Sequence, residues 1–312
     1  MCAMTRWTAE DIPDQSGRVA VVTGANSGLG YVTSLELARR GAHVVLGCRN
    51  EVRGKEAVAR LIAAAPGADV ELRPLDMADL SSIRSFADSI QASFPAVDIL
   101  VNNAGVMAIP RRETADGFEM QFGTNHLGHF ALTGLLLPLM VHQAGARVVT
   151  VSSTAHKPGA IDFEDLMHER RYRRFGAYSA SKLANLLFTF ELHRKLAAID
   201  APLISVAAHP GTSATNLVRA TADGNPVIEF VMAHGVRLVG QSEAKGALPQ
   251  LYAATAPEVR GGEYFGPNGL MESRGYPKKV DSSSASKDAE TAARLWTVSE
   301  DLTGVTYGAL RP

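Results

Sequence analysis

The sequence predicts an α/β fold, a parallel β-sheet with helices on both faces. Three observations carry this. Short apolar runs rich in β-branched residues alternate with stretches of helical spacing. The runs are nearly continuous in apolar residues rather than alternating, as strands buried on both faces are. A glycine-rich turn joins the first run to the first helical stretch. Together these read as repeated βαβ units.

The elements follow in order. Arg18–Thr23 (RVAVVT) is the first strand and 29–40 the first helix. His43–Gly47 (HVVLG) and Val70–Leu75 (VELRPL) are the next two strands, with a helix over 51–64 between them and one over 80–93 after. Asp98–Val101 (DILV) and Arg147–Val151 (RVVTV) flank a helical stretch over 114–140. In 178–198 the residues Leu183, Leu186, Leu187 and Phe190 recur at helical intervals. Leu203–Ala208 is a sixth strand, and a short last strand is expected near Gly262–Phe265. The segment 276–290, rich in Ser and Lys, reads as a surface loop. No composition shift divides the chain, so residues 1–312 are expected to form one domain.

Composition narrows the function. The chain has 312 residues, 46% hydrophobic, and a net charge of −1, which gives no global attraction to nucleic acid. Its two cysteines, Cys2 and Cys48, are not placed to pair, which fits a reducing compartment and leads to the expectation of a cytoplasmic protein. The first 15 residues lack the apolar run of a signal peptide, and no apolar stretch has the length of a membrane span.

The turn after the first strand is TGANSGLG, 23–30, with glycines at 24, 28 and 30. Glycine lets the backbone approach a ligand without a Cβ in the way. The helix N-terminus then offers free N–H groups and partial positive charge to a pyrophosphate. Placed between a strand and a helix, the turn predicts dinucleotide binding through Gly24, Asn26, Ser27, Gly28, Leu29 and Gly30. An NAD site places an acid at the end of the second strand for the ribose 2′-hydroxyl. Here that strand ends GCRN, with Cys48 in the acid's place and Arg49 next. A guanidinium can bind a 2′-phosphate, so NADP is favoured over NAD. Arg53, one turn into the next helix, is a weaker candidate.

Tyr178 and Lys182, in YSASK, stand at i and i+4 and share one face of a helix. A nearby ammonium favours the phenolate and brings the phenol, normally near pKa 10, closer to neutrality. Tyr178 can then exchange a proton with a carbonyl or alcohol oxygen. Ser152 and Ser153 end the fifth strand, where ligands bind in open α/β sheets. Adjacent strand residues point to opposite faces, so the two serines cannot be equivalent.

TGANSGLG, NNAG at 102–105 and YSASK, in that order, resemble the short-chain dehydrogenase/reductase family. The likeness runs from about residue 16 to at least 215. GCRN, FGTNHLGHFALT, SSTAHK, SKLANLLFT and HPGT are most similar to its retinol dehydrogenase and protochlorophyllide reductase branch. The resemblance implies a single Rossmann-type domain with a seven-stranded parallel sheet. It implies that Ser153 binds the substrate oxygen and that Tyr178 is the acid/base. Lys182 would hold the nicotinamide ribose, and Asn125 a water linking Lys182 to solvent. Asp76 would contact the adenine, Asn102, Ala104 and Gly105 would line the cofactor groove, Pro210 and Gly211 would bind the cofactor, and Thr212 would reach the nicotinamide carboxamide or the pyrophosphate. His126 and His129 have ligand-like spacing, but no third ligand is apparent, so no metal is expected and they read as packing or surface residues.

The insert between Ser153 and Tyr178, 154–177, is longer than is usual in the family and is expected to rim the pocket. The apolar segment 213–240 is expected to cover a lipophilic alcohol or carbonyl substrate. Many relatives pair through the helices around 114–140 and 178–198, but here the long insert lies beside one of them, so the oligomeric state is left open between a homo-oligomer and a single chain. The leading reading is hydride transfer between NADP(H) and a C–OH/C=O group. The alternatives are a C=C reductase of protochlorophyllide reductase type and an inactive NADP-binding sensor or scaffold.

Overall fold

The computed structural model describes residues 6–211 and 241–310. Its centre is one sheet of eight strands: β1 (Val19–Thr23), β2 (His43–Cys48), β3 (Val70–Pro74), β4 (Ile99–Asn102), β5 (Arg147–Val151), β6 (Ile204–Ala208), β7 (Tyr264–Pro267) and β8 (Pro277–Lys279). The order is β3-β2-β1-β4-β5-β6-β7-β8. The pairings from β3 to β7 are parallel, and β8 runs antiparallel to β7 with Phe265 opposite Lys279.

Strand parity sorts the core into two layers. Ala20, Val22, Val44, Leu46, Ile99, Val101 and Val149 enter one hydrophobic cluster. Their chain neighbours Val21, Val45, Leu100 and Val148 enter another on the opposite face. The first layer is covered by α1 (Gly28–Arg39), α2 (Glu51–Ala64) and α7 (Glu243–Thr255). The second is covered by α3 (Leu80–Ser93), α5 (Gly128–Leu136), α6 (Arg174–Ala198) and α8 (Ala289–Thr303). The strand order reverses direction between β1 and β4, and a ligand crevice opens at the carboxyl ends of strands at such a switch.

Three expectations need correction. The sheet has eight strands, not seven. The extra strand, Pro-Lys-Lys, lies in the segment read as a loop and is defined by its pairing with β7, not by an apolar pattern. The stretch 114–140 is not one helix. Glu113 bridges Glu119, helix α4 spans only Met120–Phe122, and a turn of π-helix, Gly123–Leu127, precedes α5. Gly123 is required there, because a Cβ would lie 2.5 Å from Thr114 Cγ2. Finally, α6 begins at Arg174, one turn before Tyr178. Helices α7 and α8 were not anticipated from the spacing.

Candidate active site

The glycine turn closes over the β1–α1 junction. Gly24 and Gly28 have φ of +66° and +58°, the left-handed region that glycine enters without strain. Gly30 has ordinary φ but no room: a Cβ would lie 2.5 Å from the Gly24 carbonyl oxygen and 2.6 Å from Asn103 Nδ2. Helices α2, α3, α7 and α8 are capped by the side chains of Asn50, Asp79, Ser242 and Asp288. At α1 the N-cap Ser27 makes no such bond. The first-turn amides of α1 are therefore not taken by the cap side chain, which suits an anion. Cys48 is buried beneath the turn, beside the Ala25 and Asn26 N–H groups, and burial raises its thiol to about 11.

Asn103 joins the turn to the end of β4. Its Nδ2 donates to the Thr23 carbonyl at 2.8 Å, and the backbone N–H groups of Asn103 and Ala104 both donate to Thr23 Oγ1 at 2.9 Å. Thr23 Oγ1 also meets His129 Nε2 at 2.9 Å, and His129 Nδ1 meets the Asn125 carbonyl at 3.0 Å. A carbonyl only accepts, so Nδ1 carries the proton and Thr23 donates to Nε2. Burial holds His129 neutral, with its pKa lowered to about 4. Asn102 donates to Thr133 Oγ1 at 3.0 Å, and its buried Oδ1 has no protein partner, so an acceptor is left over inside the groove wall.

At the end of β2, Arg49 is exposed and lies 3.8 Å from Asp76, whose Oδ1 accepts from the Ala78 N–H at 3.0 Å. Arg53 is exposed. Arg60 on α2, which sequence reasoning missed, donates to the Asn26 carbonyl at 3.1 Å and stacks over the Tyr31 ring at 4.6 Å. Two contacts made across separate elements leave no signal in local spacing.

The catalytic candidates meet at the carboxyl end of β5. Ser152 and Ser153 part as strand alternation requires. Ser152 is buried, and its Oγ donates to the Lys182 carbonyl at 2.8 Å. Ser153 is partly exposed, and its hydroxyl neighbours that of Tyr178. His156 fixes this turn: Nε2 accepts from the Ser283 N–H at 3.1 Å, so Nδ1 carries the proton and donates to the Ser153 carbonyl at 2.6 Å. Lys182 is buried, and its Nζ donates to the Val151 carbonyl at 3.0 Å and lies 5.8 Å from the centre of the Tyr178 ring.

The expected electrostatics need revision. In the protein alone Tyr178 is not drawn toward neutrality. Burial pushes its phenol up to about 12, with the Ser153 hydroxyl opposing. Burial also brings Lys182 down to about 8. Desolvation disfavours both charged forms.

The Asn125 side chain is fully engaged within the protein. Its Nδ2 donates to the Val106 carbonyl and to Ser181 Oγ, both at 2.9 Å, and its Oδ1 accepts from the Val106 N–H at 2.8 Å. The side chain ties the NNAG turn to α6. A water would have to be held by its backbone carbonyl, where one lone pair already takes His129. A Cβ on Gly105 would lie 3.0 Å from Asn125 Oδ1 and 3.7 Å from Lys182 Nζ, so Gly105 opens the space beside the ammonium. His126 and His129 are both buried, so the packing alternative holds.

At the end of β6, Pro210 and Gly211 (φ +65°) form a turn beside Ser152, whose N–H donates to the Ala208 carbonyl at 2.8 Å. Thr212 and the segment 213–240 lie outside the described residues. Among the described residues, no helix is long and apolar enough to cross a membrane.

The short chain dehydrogenase family model matches residues 18–225. The chain belongs to that family. It is 41% identical over 304 residues to mouse retinol dehydrogenase 14, covering 93% of this chain and 86% of that protein. It is 40% identical over 307 residues to mouse polyprenol dehydrogenase, covering 95% and 87%. Among solved structures, an uncharacterized protein from Mycobacterium paratuberculosis is 47% identical with a TM-score of 0.80, covering 97% of this chain and 99% of that one. A Beutenbergia cavernae protein described as an NAD(P) dependent gluconate 5-dehydrogenase, with bound NADP at low occupancy, is 26% identical with a TM-score of 0.62, covering 80% and 95%. The chain is thus a dinucleotide-dependent oxidoreductase acting on CH–OH donors, in the retinol dehydrogenase-like branch of its family.

Proposed function

We propose that this chain uses NADP(H) in preference to NAD(H) and interconverts a C–OH and a C=O group on a lipophilic substrate. The observation that carries the reading is the assembly of the Ser153 hydroxyl, the buried Tyr178 phenol and the buried Lys182 ammonium at the carboxyl end of β5. The nicotinamide supplies or accepts the hydride when bound. Every other duty falls to the chain. The uncapped start of α1 and the glycine turn receive the pyrophosphate. Arg49, freed from its exposed bridge to Asp76, receives a 2′-phosphate. Asn102, Ala104 and Gly105 line the groove, and Pro210 and Gly211 close its nicotinamide end.

In the reducing direction Ser153 orients the carbonyl oxygen and Tyr178 donates its proton to that oxygen. A phenol pushed up to about 12 is fully protonated at neutral pH, as a donor must be. Lys182 offsets the phenolate left behind. In oxidation the same atoms run in reverse.

The lipophilic substrate is supported by relatives named for retinol and polyprenol. The test is NADPH and NADH oxidation against long-chain aldehydes, polyene aldehydes, polycyclic ketones and conjugated C=C acceptors. Turnover of the carbonyls with NADPH preferred is expected. Reduction of the C=C acceptors alone would replace this reading with the reductase alternative. Tight NADPH binding with no turnover of any acceptor would favour the sensor reading.

A further inference from the structure

The turn His209–Pro210–Gly211 is gripped from outside by residues remote in sequence. The loop 268–276, which joins β7 to β8, does most of this. The His209 side chain is fully buried, and its Nδ1 accepts from the Gly211 N–H at 3.2 Å. The accepting nitrogen carries no proton in the neutral ring, so Nε2 is the protonated one and donates to Oε2 of Glu272 at 3.1 Å. Tyr264 packs against the ring with centroids 5.2 Å apart, and Gly266 leaves the space it fills. The Pro210 carbonyl accepts from Gln241 Nε2 at 2.8 Å, and Gln241 Oε1 accepts from the Gly275 N–H at 3.0 Å. Gly211 sits so close to the loop that a Cβ would lie 2.5 Å from the Ser273 carbonyl oxygen.

Glu272 also lies 3.9 Å from Lys157, the residue that ends the turn begun by Ser153. One carboxylate therefore touches both the turn at the nicotinamide end and the turn of the substrate-binding serine. The loop is strained to achieve this. Met271 and Glu272 have φ of 52° and 56°, a conformation that costs a side-chain-bearing residue energy and persists only where its surroundings enforce it.

We propose that Glu272 is a positioning residue for the cofactor: through His209 it fixes Pro210 and Gly211 where the nicotinamide end must bind. This rests on the reading of that turn as a cofactor contact. Acting through His209, Glu272 need touch neither cofactor nor substrate.

The test uses the full chain, with NADPH binding followed by fluorescence titration and steady-state kinetics on a carbonyl acceptor. Glu272→Ala leaves the buried Nε2–H without its acceptor, so the Kd and KM for NADPH should rise about tenfold. The KM for the acceptor should stay within about twofold. Glu272→Gln keeps an acceptor oxygen and should recover most of the loss, which rescue by a residue that merely fills space would not achieve. Gly211→Ala perturbs the turn directly and should weaken NADPH at least as much. If Gly211→Ala weakens binding while Glu272→Ala does not, the clamp is overturned and the cofactor turn stands. If neither variant alters the NADPH Kd, the turn does not hold the cofactor and both readings fall. A Glu272→Ala protein with a lower melting temperature but unchanged Kd and KM would make the contact structural only, against the proposal.

Discussion

Gly30→Ala probes the glycine turn with a single methyl group. The native φ of Gly30 is ordinary, so alanine brings no backbone strain and the penalty is contact alone. Its Cβ would sit 2.5 Å from the Gly24 carbonyl oxygen and 2.6 Å from Asn103 Nδ2, about 1 Å inside an ordinary contact of roughly 3.5 Å. Relief requires the turn to lift or Asn103 to swing away, and the latter breaks its 2.8 Å bond to the Thr23 carbonyl. Overpacking of this kind costs about 1–3 kcal/mol, and the lost bond about 1 kcal/mol more. The melting temperature should fall by about 5–10 °C. NADPH affinity should fall roughly tenfold or more, because the displaced backbone is the surface proposed to receive the pyrophosphate. The assay is a thermal melt with and without NADPH, beside a fluorescence titration. Gly67→Ala is the control: at φ +85°, with nothing within 4 Å of a Cβ, it should cost about 1 kcal/mol and leave the Kd unchanged. A Gly30→Ala protein with native melting temperature and Kd would refute the packing argument, as would a Gly67→Ala protein that loses cofactor equally.

Three further outcomes are expected. Arg49→Ala should raise the KM for NADPH about tenfold or more and leave that for NADH nearly unchanged; parallel changes in both would remove Arg49 as the phosphate reader. Burial holds His126 at about 3 and His129 at about 4, below their ordinary 6.5, so the unfolded chain takes up protons first as pH falls. Their contribution is complete above pH 6.5 and is lost on acidification toward pH 4, at about 1.4 kcal/mol per pH unit for each histidine. Denaturant unfolding of wild type and His126→Phe should show the slope reduced in the variant. Lys182, lowered to about 8, releases its proton in the folded state first, so stability should rise between pH 8 and 10.5, and Lys182→Met should abolish the rise.

The sequence made local features legible. Strands β1, β2, β4, β5 and β6 show as apolar runs because both faces are buried. The pairing of Tyr178 with Lys182, and the separation of Ser153 from Ser152, follow from helix and strand periodicity alone. What escaped depends on residues far apart in the chain. His209 meets Glu272 across 63 residues, His156 meets Ser283 across 127, and His126 meets Ser299 across 173. No window of spacing contains such pairs. The edge strand β8 carries no apolar pattern, since its position comes from pairing with β7. The phenol's pKa was misjudged because a helical wheel shows the neighbouring ammonium but not the burial that pushes the phenol up. Within the interruption at Gly123–Leu127, Gly123 packs closely against Thr114, a contact that helical spacing conceals.

The most direct test of the central claim compares NADPH oxidation by wild type and Tyr178→Phe on a long-chain aldehyde, with the NADPH Kd measured on both. The account predicts a Kd within about twofold and a loss of turnover of about a hundredfold or more, the scale of a missing positioned proton donor. Equal turnover by the two proteins would contradict it.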